Sequence, residues 1–518
     1  MRTQESSKNA ITSLIFYFIN SIFTFISKTV FIQYLGIEYA GLNSLFTNIL
    51  GVLNIAELGL STAIGYSLYK PLAENDTKTI NEILKLFKYL YRIVGIVILI
   101  IGIIVVFFLP YFINSNISLF EIRSSFLLFL IATSISYLFT FLNVLPSADQ
   151  KNYIVTKIQG ITKVIKCIIQ LFAIVIFQNY YVWLFLEIGW NLVGYIYTNF
   201  VIRRKYLYYQ DYKELKFFEL LKKYKEVMKR VKDLFYHKIG SLAVNQTDNI
   251  VISYFCNLTT VGIYGNYILV FNLVVGIFEQ AFSSVTASIG NLIINKGEKA
   301  TYNLWKELHI LIVFLTVVSC YLFYKLINPF ITVWIGKEYL LTNVVVLFIT
   351  LNIMFKIIKQ PIDKFKEAFG IFWDKQAPFF EAIINLIVSI ALAMKFGVLG
   401  VVIGTVVSNI IIIAIWKPYV TFKYGFKEKF IEYIKLNIPL VVMSVISIFS
   451  IDYFINYIEI SINNAWINLI ITGIIYGMVA TIIAFMFFVI YKPFRITFLK
   501  YISIFKSLIL NRKINKKI

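Results

Sequence analysis

One segment, QGITKVIKCIIQ, places four polar side chains within an otherwise apolar run. Gln159, Lys163, Lys166 and Gln170 are spaced four, three and four residues apart, so in a helix they form one narrow stripe, called here the polar stripe. Placing two ammonium groups and two amides against lipid costs free energy, because the bilayer core offers no partners for the hydrogen bonds that these groups make with water. Lysine ammoniums are strong donors to phosphate oxygens. The stripe therefore predicts either an anion-binding wall or a helix end that dips into water.

Two further charges lie in apolar sequence, Lys28 and Asp248. Counted from the predicted outer helix ends at Leu35 and Phe255, each lies seven residues deep. A charge at a span centre costs about 2.5–3.5 kcal/mol on insertion scales and needs a cavity or a partner. We weigh three interpretations: a structural ion pair, a gate that closes the outer mouth until substrate or a proton disturbs it, and separate roles.

Three glutamates complete the candidate residues. Glu187 shares a helical face with Asn191 and Thr198 and could balance one lysine of the polar stripe; without it the lysines would repel each other. Glu57 and Glu279 fall in the inner halves of two predicted spans. Each could couple transport to ions by responding to protons, or form a structural pair with a loop lysine.

Histidines and cysteines offer little further chemistry. The chain has two histidines, His237 and His309, both near predicted helix ends, and we interpret them as interfacial. Its three cysteines are scattered, with no C-x-x-C motif. We therefore expect no catalytic residues, no metal site and no cofactor, although a proton or sodium gradient could drive the protein.

Composition identifies the environment of these residues. The chain has 518 residues, of which 59% are hydrophobic and 15% charged, whereas a soluble domain is about 25% charged. Apolar stretches long enough to cross a bilayer recur along the whole chain. We predict an all-α integral membrane protein with 14 transmembrane helices, near residues 10–35, 41–66, 86–110, 122–146, 154–178, 180–202, 233–256, 261–294, 307–327, 339–358, 377–396, 400–422, 432–452 and 465–491.

The net charge of +22 is distributed as membrane topology requires. Lysines and arginines gather at the N-terminus, in the connections after even-numbered spans and in the C-terminal tail. The alternate connections hold only four basic residues, Arg123, Lys325, Lys337 and Lys395. Short basic loops stay cytoplasmic, so both termini are predicted to lie inside. The tail mixes large apolar residues with lysines and is expected to lie on the inner leaflet as an amphipathic segment.

An internal repeat divides the predicted spans. NSIFTFISKTVFIQYLG from Asn20 aligns with GSLAVNQTDNIVISYFC from Gly240 at an offset of 220, and later matches keep an offset of 225. A six-helix repeat gives two pseudo-symmetric lobes of the same orientation, a parallel repeat whose substrate would lie between the halves. The predicted divisions are an N-terminal lobe 1–205, a basic cytoplasmic connection 206–232, a C-terminal lobe 233–425, two additional helices in 426–492 and an amphipathic tail 493–518.

The segments SKTVFIQYLGIEYAGLNSLFTNIL and TDNIVISYFCNLTTVGIYGNYILVFN, together with this helix pattern, resemble Wzx-type oligosaccharide flippases. These belong to the multidrug/oligosaccharidyl-lipid/polysaccharide exporter (MOP) superfamily, and the resemblance covers essentially the whole chain. It implies that two rocking lobes move a polyprenyl-diphosphate-linked oligosaccharide from the inner to the outer leaflet of a bacterial cell membrane, for surface polysaccharide synthesis. The diphosphate would then bind to Lys28 and the polar stripe. Membrane lipids and the glycosyltransferases and polymerase of the same pathway would be its partners; nucleic acid would not.

Two other functions remain open. A multidrug exporter of the same superfamily is the closer alternative, although an exporter of cationic drugs should have an acidic cavity rather than Lys28, Lys163 and Lys166 at depth. A membrane polymerase or ligase needs a sizeable outer catalytic loop. The longest predicted outer connections are roughly a dozen residues and contain no histidine.

Overall fold

The computed structural model describes residues 2–57, 59–210, 216–232, 235, 246–283, 286–371, 374 and 376–514, and within these ranges the regular secondary structure is helical. Eleven of the described helices are long and apolar enough to cross a membrane. Large apolar side chains cover their outward faces; Phe107 is 67% exposed and Phe449 is 73% exposed. A surface of this kind suits hydrocarbon and not water. The chain is therefore a multi-pass membrane protein.

The described helices follow one another in chain order. The first ten are α1 Arg2–Leu35, α2 Ile37–Leu53, α3 Leu60–Glu74, α4 Thr77–Phe112, α5 Leu119–Thr140, α6 Val144–Ala148, α7 Tyr153–Phe177, α8 Tyr180–Lys205, α9 Phe217–Lys223 and α10 Asp248–Phe255. The others described are α11 Leu258–Ser283, α12 Thr286–Trp334, α13 Asn343–Ala368, α14 Gln376–Phe396, α15 Val398–Asn409, α16 Lys417–Val420, α17 Phe430–Ile455, α18 Ala465–Phe488 and α19 Lys492–Ile514.

Two compact units divide the chain. Unit 1 consists of Met1–Gly265 and Pro378–Gly404, and unit 2 of Asn266–Ala377 and Thr405–Ile518. The lobe boundaries predicted from the repeat stay a prediction, because contact density reports where helices pack and not how a repeat is organised.

The count of 14 spans also stays a prediction. The sixth predicted span corresponds to α8, which is long enough to cross but less apolar because it carries Glu187, Asn191 and several tyrosines. Half of the seventh predicted span falls on residues outside the described ranges. The ninth is longer than predicted: α12 contains a non-helical residue, Gly297, and continues from there as a candidate span to Trp334.

The second predicted span, 41–66, is wrong as a continuous helix. It divides into α2 and α3 at a short 3-10 turn, Asn54–Glu57, and Gly59 precedes α3 with a φ of 86°. That left-handed conformation is one that glycine adopts without strain. The break turns the Glu57 carboxylate toward α4 and α5, which contain its hydrogen-bond partners.

Two glycines join α2 and α11 within unit 1. A Cβ atom at Gly41 would lie 2.0 Å from the Leu258 carbonyl oxygen, and one at Gly262 would lie 2.4 Å from the Ile37 carbonyl oxygen. No residue with a side chain fits at either position without moving a backbone. The two helices therefore meet backbone to backbone, as helices with small residues do in membranes. We call this contact the glycine seam.

The basic connection after α8 packs onto the beginning of α4. The Asn81 side chain donates to the Tyr208 carbonyl oxygen and accepts from the Gln210 backbone N–H. Lys223 pairs with the buried Glu82 at 2.5 Å. Burial and the nearby Asp149 carboxylate raise the pKa of Tyr208 to about 12. The described part of this connection is thus fixed to unit 1 and is not a loose linker.

The tail helix α19 begins with a contact to unit 2. Phe494 is buried against Phe314, Phe485 and Phe488, and the Lys500 ammonium lies 2.7 Å from both carboxylate oxygens of Glu307. Part of its apolar face therefore packs on protein. Its association with the inner leaflet stays a prediction.

Candidate functional site

The polar stripe lies on α7, opposite the face that suits lipid. At about 100° per residue, four exposed apolar residues of α7 lie roughly half a turn from the stripe; they are Ile161, Ile165, Ile168 and Phe172. The helix thus has an apolar outer face and a polar face that points elsewhere. The structure divides that polar face into two parts with different environments.

The first part is a partly buried network between α7 and α8. The Lys166 ammonium lies 2.5 Å from a Glu187 carboxylate oxygen and 3.0 Å from Asn191 Oδ1. Gln170 donates to the second Glu187 oxygen at 2.9 Å. The expected balancing of one lysine by Glu187 therefore occurs at Lys166. Thr198, placed on the same face by its spacing, instead donates to the Gly194 carbonyl oxygen of its own helix.

The second part of the stripe is open. The side chains of Gln159 and Lys163 are both exposed, and Gln159 lines a cavity of 640 Å³ within unit 1. Lys163 lies one helical turn farther along the same face, about 6 Å from Gln159 along the axis. The structure thus separates one lysine with a carboxylate partner from one whose side chain is accessible.

Hydroxyl and amide groups dominate the wall of this cavity, which we call the polar cavity. Helices α3 to α7 and the turns beside them provide the wall. Its polar residues are Glu57, Ser61, Thr62, Tyr69, Tyr91, Ser136, Tyr137, Thr140, Asn143, Ser147, Asn152 and Gln159. Within the described part of the chain, the buried Oδ1 atom of Asn143 has no hydrogen-bond partner. A wall of this composition can bind a ligand that offers many hydroxyl groups.

Glu57 is held in place by hydroxyl groups. Tyr91 donates to one carboxylate oxygen, and Ser61 donates to the same atom at 3.1 Å. Tyr137 donates to the other oxygen at 3.1 Å and to Asn54 Oδ1 at 3.0 Å. Among the described residues the hydrogen-bond partners of Glu57 are therefore hydroxyl groups, and its suggested pairing with a loop lysine stays a prediction. Its suggested response to protons stays a prediction.

Sequence reasoning missed most of this wall, although a signal was present. Ser136, Thr140, Asn143 and Ser147 are spaced four, three and four residues apart, the same spacing as the polar stripe. All four line the polar cavity. A serine or threonine hydroxyl can find a hydrogen-bond partner within its own helix, as Thr140 does by donating to the Ser136 carbonyl oxygen. The spacing of such residues is therefore a weaker sign of a polar cavity than the spacing of lysines.

Lys28 and Asp248 approach consecutive residues of α11. Tyr264 donates to Asp248 at 3.2 Å. A Cβ atom at Gly265 would lie 3.5 Å from the Lys28 ammonium nitrogen and 3.2 Å from Ser44 Oγ. Both charges are thus brought to the same stretch of helix within unit 1. Their direct pairing, and any role of that pair as a gate, stay predictions.

Two other predicted residues lie in unit 2. Glu279 is exposed on α11. His309 is not interfacial as expected: it is fully buried, stacks on Trp305 and contacts Asn437 Oδ1 through Nε2 at 2.9 Å. Packing among aromatic rings explains this burial, which a position near a predicted helix end does not reveal. His237 lies outside the described residues.

Comparison with solved structures identifies the fold. A scan against models of known protein families finds no match, and neither does a search of curated proteins. The fold is nevertheless similar to those of solved membrane transporters. An inward-facing MATE-family multidrug resistance transporter of the MOP superfamily superposes with a TM-score of 0.57 and 12% identity, over 81% of this chain and 99% of that chain. A mutant of the MATE transporter VcmN of Vibrio cholerae gives a TM-score of 0.54 and 13% identity, over 82% of this chain and 99% of VcmN.

The chain is also similar in structure to the lipid II flippase MurJ in an inward closed conformation. The TM-score is 0.66 at 20% identity, and the match covers 93% of this chain and 98% of MurJ. Identity at this level shows the fold alone. The predicted superfamily architecture is therefore supported, whereas assignment to the Wzx family belongs to the proposal below.

Proposed function

We propose that this protein is a flippase of the Wzx type, which moves a polyprenyl-diphosphate-linked oligosaccharide from the inner to the outer leaflet of a bacterial cell membrane. Two lobes would expose the substrate alternately to each side, with both termini cytoplasmic. The product would enter cell-surface polysaccharide synthesis, beside glycosyltransferases and a polymerase.

The observation that carries the proposal is Lys163. Its ammonium group belongs to a membrane-crossing helix, yet its side chain is exposed on the face opposite the apolar surface of α7. An ammonium in that position needs an anionic or aqueous partner. A lipid diphosphate is an anion that enters the membrane, and the similarity to MurJ over nearly the whole chain supports a substrate of this chemical class.

The remaining candidates receive separate roles. Lys166, Glu187 and Gln170 hold α7 against α8 and so keep Lys163 in position. Gln159 contacts the sugar next to the diphosphate. Lys28 and Asp248 form the gate or a structural pair, and Glu57 and Glu279 remain candidates for coupling to a proton or sodium gradient.

A multidrug exporter is the second candidate, and one observation favours it. Glu57 places a carboxylate in the polar cavity, and MATE transporters share the fold. An acidic cavity suits a cationic drug. The two functions therefore make opposite demands on Lys163, which attracts a diphosphate and repels a cation.

The first prediction tests the role of Lys163. The full chain in lipid nanodiscs is titrated with farnesyl diphosphate, a probe for the lipid headgroup. Lys163→Ala should weaken binding at least about tenfold, because a hydrogen bond to a charged group is lost. Lys163→Arg should retain binding and Lys163→Gln should not, since charge matters more than length. Lys157→Ala, an exposed lysine on the other face of α7, is the matched control and should have no effect.

Two outcomes contradict the proposal. If glutamine serves as well as lysine at position 163, the diphosphate does not bind there. If Lys163→Ala leaves farnesyl diphosphate binding unchanged but alters the export of rhodamine 6G from cells, the exporter replaces the flippase.

A further inference from the structure

We propose that the polar cavity of unit 1 is a glycan-binding site that accepts neutral and amino sugars and rejects acidic ones, and that Glu57 sets this preference. This inference rests on the proposed function, because it assigns the sugar part of the substrate to a place separate from the diphosphate.

The cavity has the size and chemistry of a site for a small hydrophilic ligand. Its volume of 640 Å³ lies within the range of about 300–1,000 Å³ that such sites occupy. Ser147, Asn152 and Gln159 on its wall all have exposed side chains. Hydroxyls and amides can both donate and accept, which matches the alternating donors and acceptors of a sugar. The exposed ring of Tyr69 adds an apolar face.

Charge gives the cavity its selectivity. Among the described residues of the wall, Glu57 is the only side chain with a formal charge at neutral pH. Its hydrogen bonds to Tyr91, Tyr137 and Ser61 prevent it from turning away when a ligand arrives. A uronic acid would bring a second carboxylate into this space, and like charges brought together in a partly enclosed site repel strongly. A neutral hydroxyl can donate to Glu57, and the ammonium of an amino sugar can pair with it.

The position of the cavity fits a substrate with two chemically different parts. Gln159 lies on the wall, and Lys163 lies about 6 Å away along the same face of α7. A diphosphate held at Lys163 therefore places the adjoining sugar at Gln159, with the rest of the glycan directed toward Ser147 and Glu57. The Lys163 ammonium thus acts on the diphosphate of the substrate, and the Glu57 carboxylate acts on its sugars.

A lipophilic cation is the alternative occupant of this cavity, because the wall also carries the aromatic rings of Tyr69, Phe87, Tyr91 and Tyr137. The experiment below includes one as a competing ligand.

The second prediction uses three soluble trisaccharides of similar size, so that no lipid or diphosphate contributes. Chitotriose is neutral, the glucosamine trimer is cationic and trigalacturonate is anionic; each is titrated against the full chain in nanodiscs by saturation-transfer NMR. The wild-type protein should bind the first two at least about tenfold more tightly than trigalacturonate. Glu57→Gln should abolish this difference, by strengthening trigalacturonate binding and weakening glucosamine trimer binding.

Two further variants keep the result interpretable. Glu74→Gln makes the same chemical change at an exposed position of α3 outside the wall and should keep the wild-type preference. Ser147→Trp fills the cavity from an exposed wall position that is not one of the described hydrogen-bond partners of Glu57, and should remove binding of all three trisaccharides. The same variant should still bind farnesyl diphosphate, which shows that the protein is folded.

Several outcomes overturn the inference. They are equal affinity of the wild-type protein for the three probes, no binding of any of them, and a preference that survives in Glu57→Gln. A fourth is found with rhodamine 6G as the competing ligand: Ser147→Trp lowers the affinity for rhodamine 6G while trisaccharide binding persists. None of these outcomes changes the result of the farnesyl diphosphate titration. Conversely, Lys163→Ala could leave farnesyl diphosphate binding unchanged while the trisaccharide selectivity is as expected. The protein would then be a sugar-binding transporter that does not recognise a lipid diphosphate through Lys163.

Discussion

The interiors of the two units use polar groups in different ways. In unit 1 the polar cavity has one carboxylate, Glu57, whose described partners are hydroxyls. In unit 2 the carboxylates of α13 and the turn that follows it are matched by cations. Asp363 lies 3.0 Å from Lys417 and 3.9 Å from Lys359, and Asp374 lies 2.6 Å from Lys366.

Unit 2 also fills its interior with aromatic rings. Trp305 is fully buried and contacts His309, Phe422 and Phe426 at ring-centroid distances of 4.8–5.5 Å. Such a cluster leaves little room for a hydrophilic ligand. The difference teaches that a charge inside the membrane does not by itself mark a substrate site. What matters is whether the charge already has an opposite charge beside it.

The third prediction applies this distinction within unit 1 and carries the largest effect. Lys166→Ala leaves the partly buried Glu187 without its cation, which should lower the free energy of unfolding by about 3 kcal/mol. The double variant Lys166→Met with Glu187→Gln removes both charges together and should recover most of that loss. Thermal unfolding of the purified variants measures both changes. A stable Lys166→Ala protein that no longer binds farnesyl diphosphate would make Lys166 a substrate ligand, and the distinction between the two lysines would fail.

The fourth prediction concerns unit 2. Lys417→Ala removes the closer of the two cations beside Asp363 and should lower the free energy of unfolding by about 2 kcal/mol, as for a lost hydrogen bond to a charged group. Selectivity among the three trisaccharides should not change. Lys423→Ala, an exposed lysine of the same segment, is the control for stability. A changed sugar preference in Lys417→Ala would show that unit 2 takes part in recognition.

The fifth prediction examines a charge in unit 1 that has a described partner. Tyr264→Phe removes the hydrogen bond to Asp248 and should cost about 1 kcal/mol of stability. In a double-mutant cycle, Lys28→Met and Asp248→Asn should show a coupling energy of at least about 0.5 kcal/mol if the two charges interact. The charge exchange Lys28→Asp with Asp248→Lys should then partly restore transport. Zero coupling would assign the residues separate roles.

Sequence reasoning recovered the features that depend on one helix at a time. Length and composition predict the membrane helices, and spacing puts Lys163 and Lys166 on one face of α7 and Glu187 on one face of α8. The partners of Glu57 could not be found in this way. Tyr91 and Tyr137 lie 34 and 80 residues away along the chain, and periodicity shows which face of a helix is polar but not which helix packs against it. The break at Asn54–Glu57 escaped notice because apolar residues continue on both sides of it.

The glycine seam between α2 and α11 has a consequence for how fast those helix ends can part. Side chains that interlock must change rotamer before two helices separate, whereas Gly41 and Gly262 offer only backbone surfaces. Dispersion attraction falls steeply with distance, and a gap of about 0.5–1 Å already forfeits a quarter to a half of it. The contact therefore loses much of its attraction over a displacement smaller than a bond length. A single methyl group at either glycine would keep the two helices from reaching this contact.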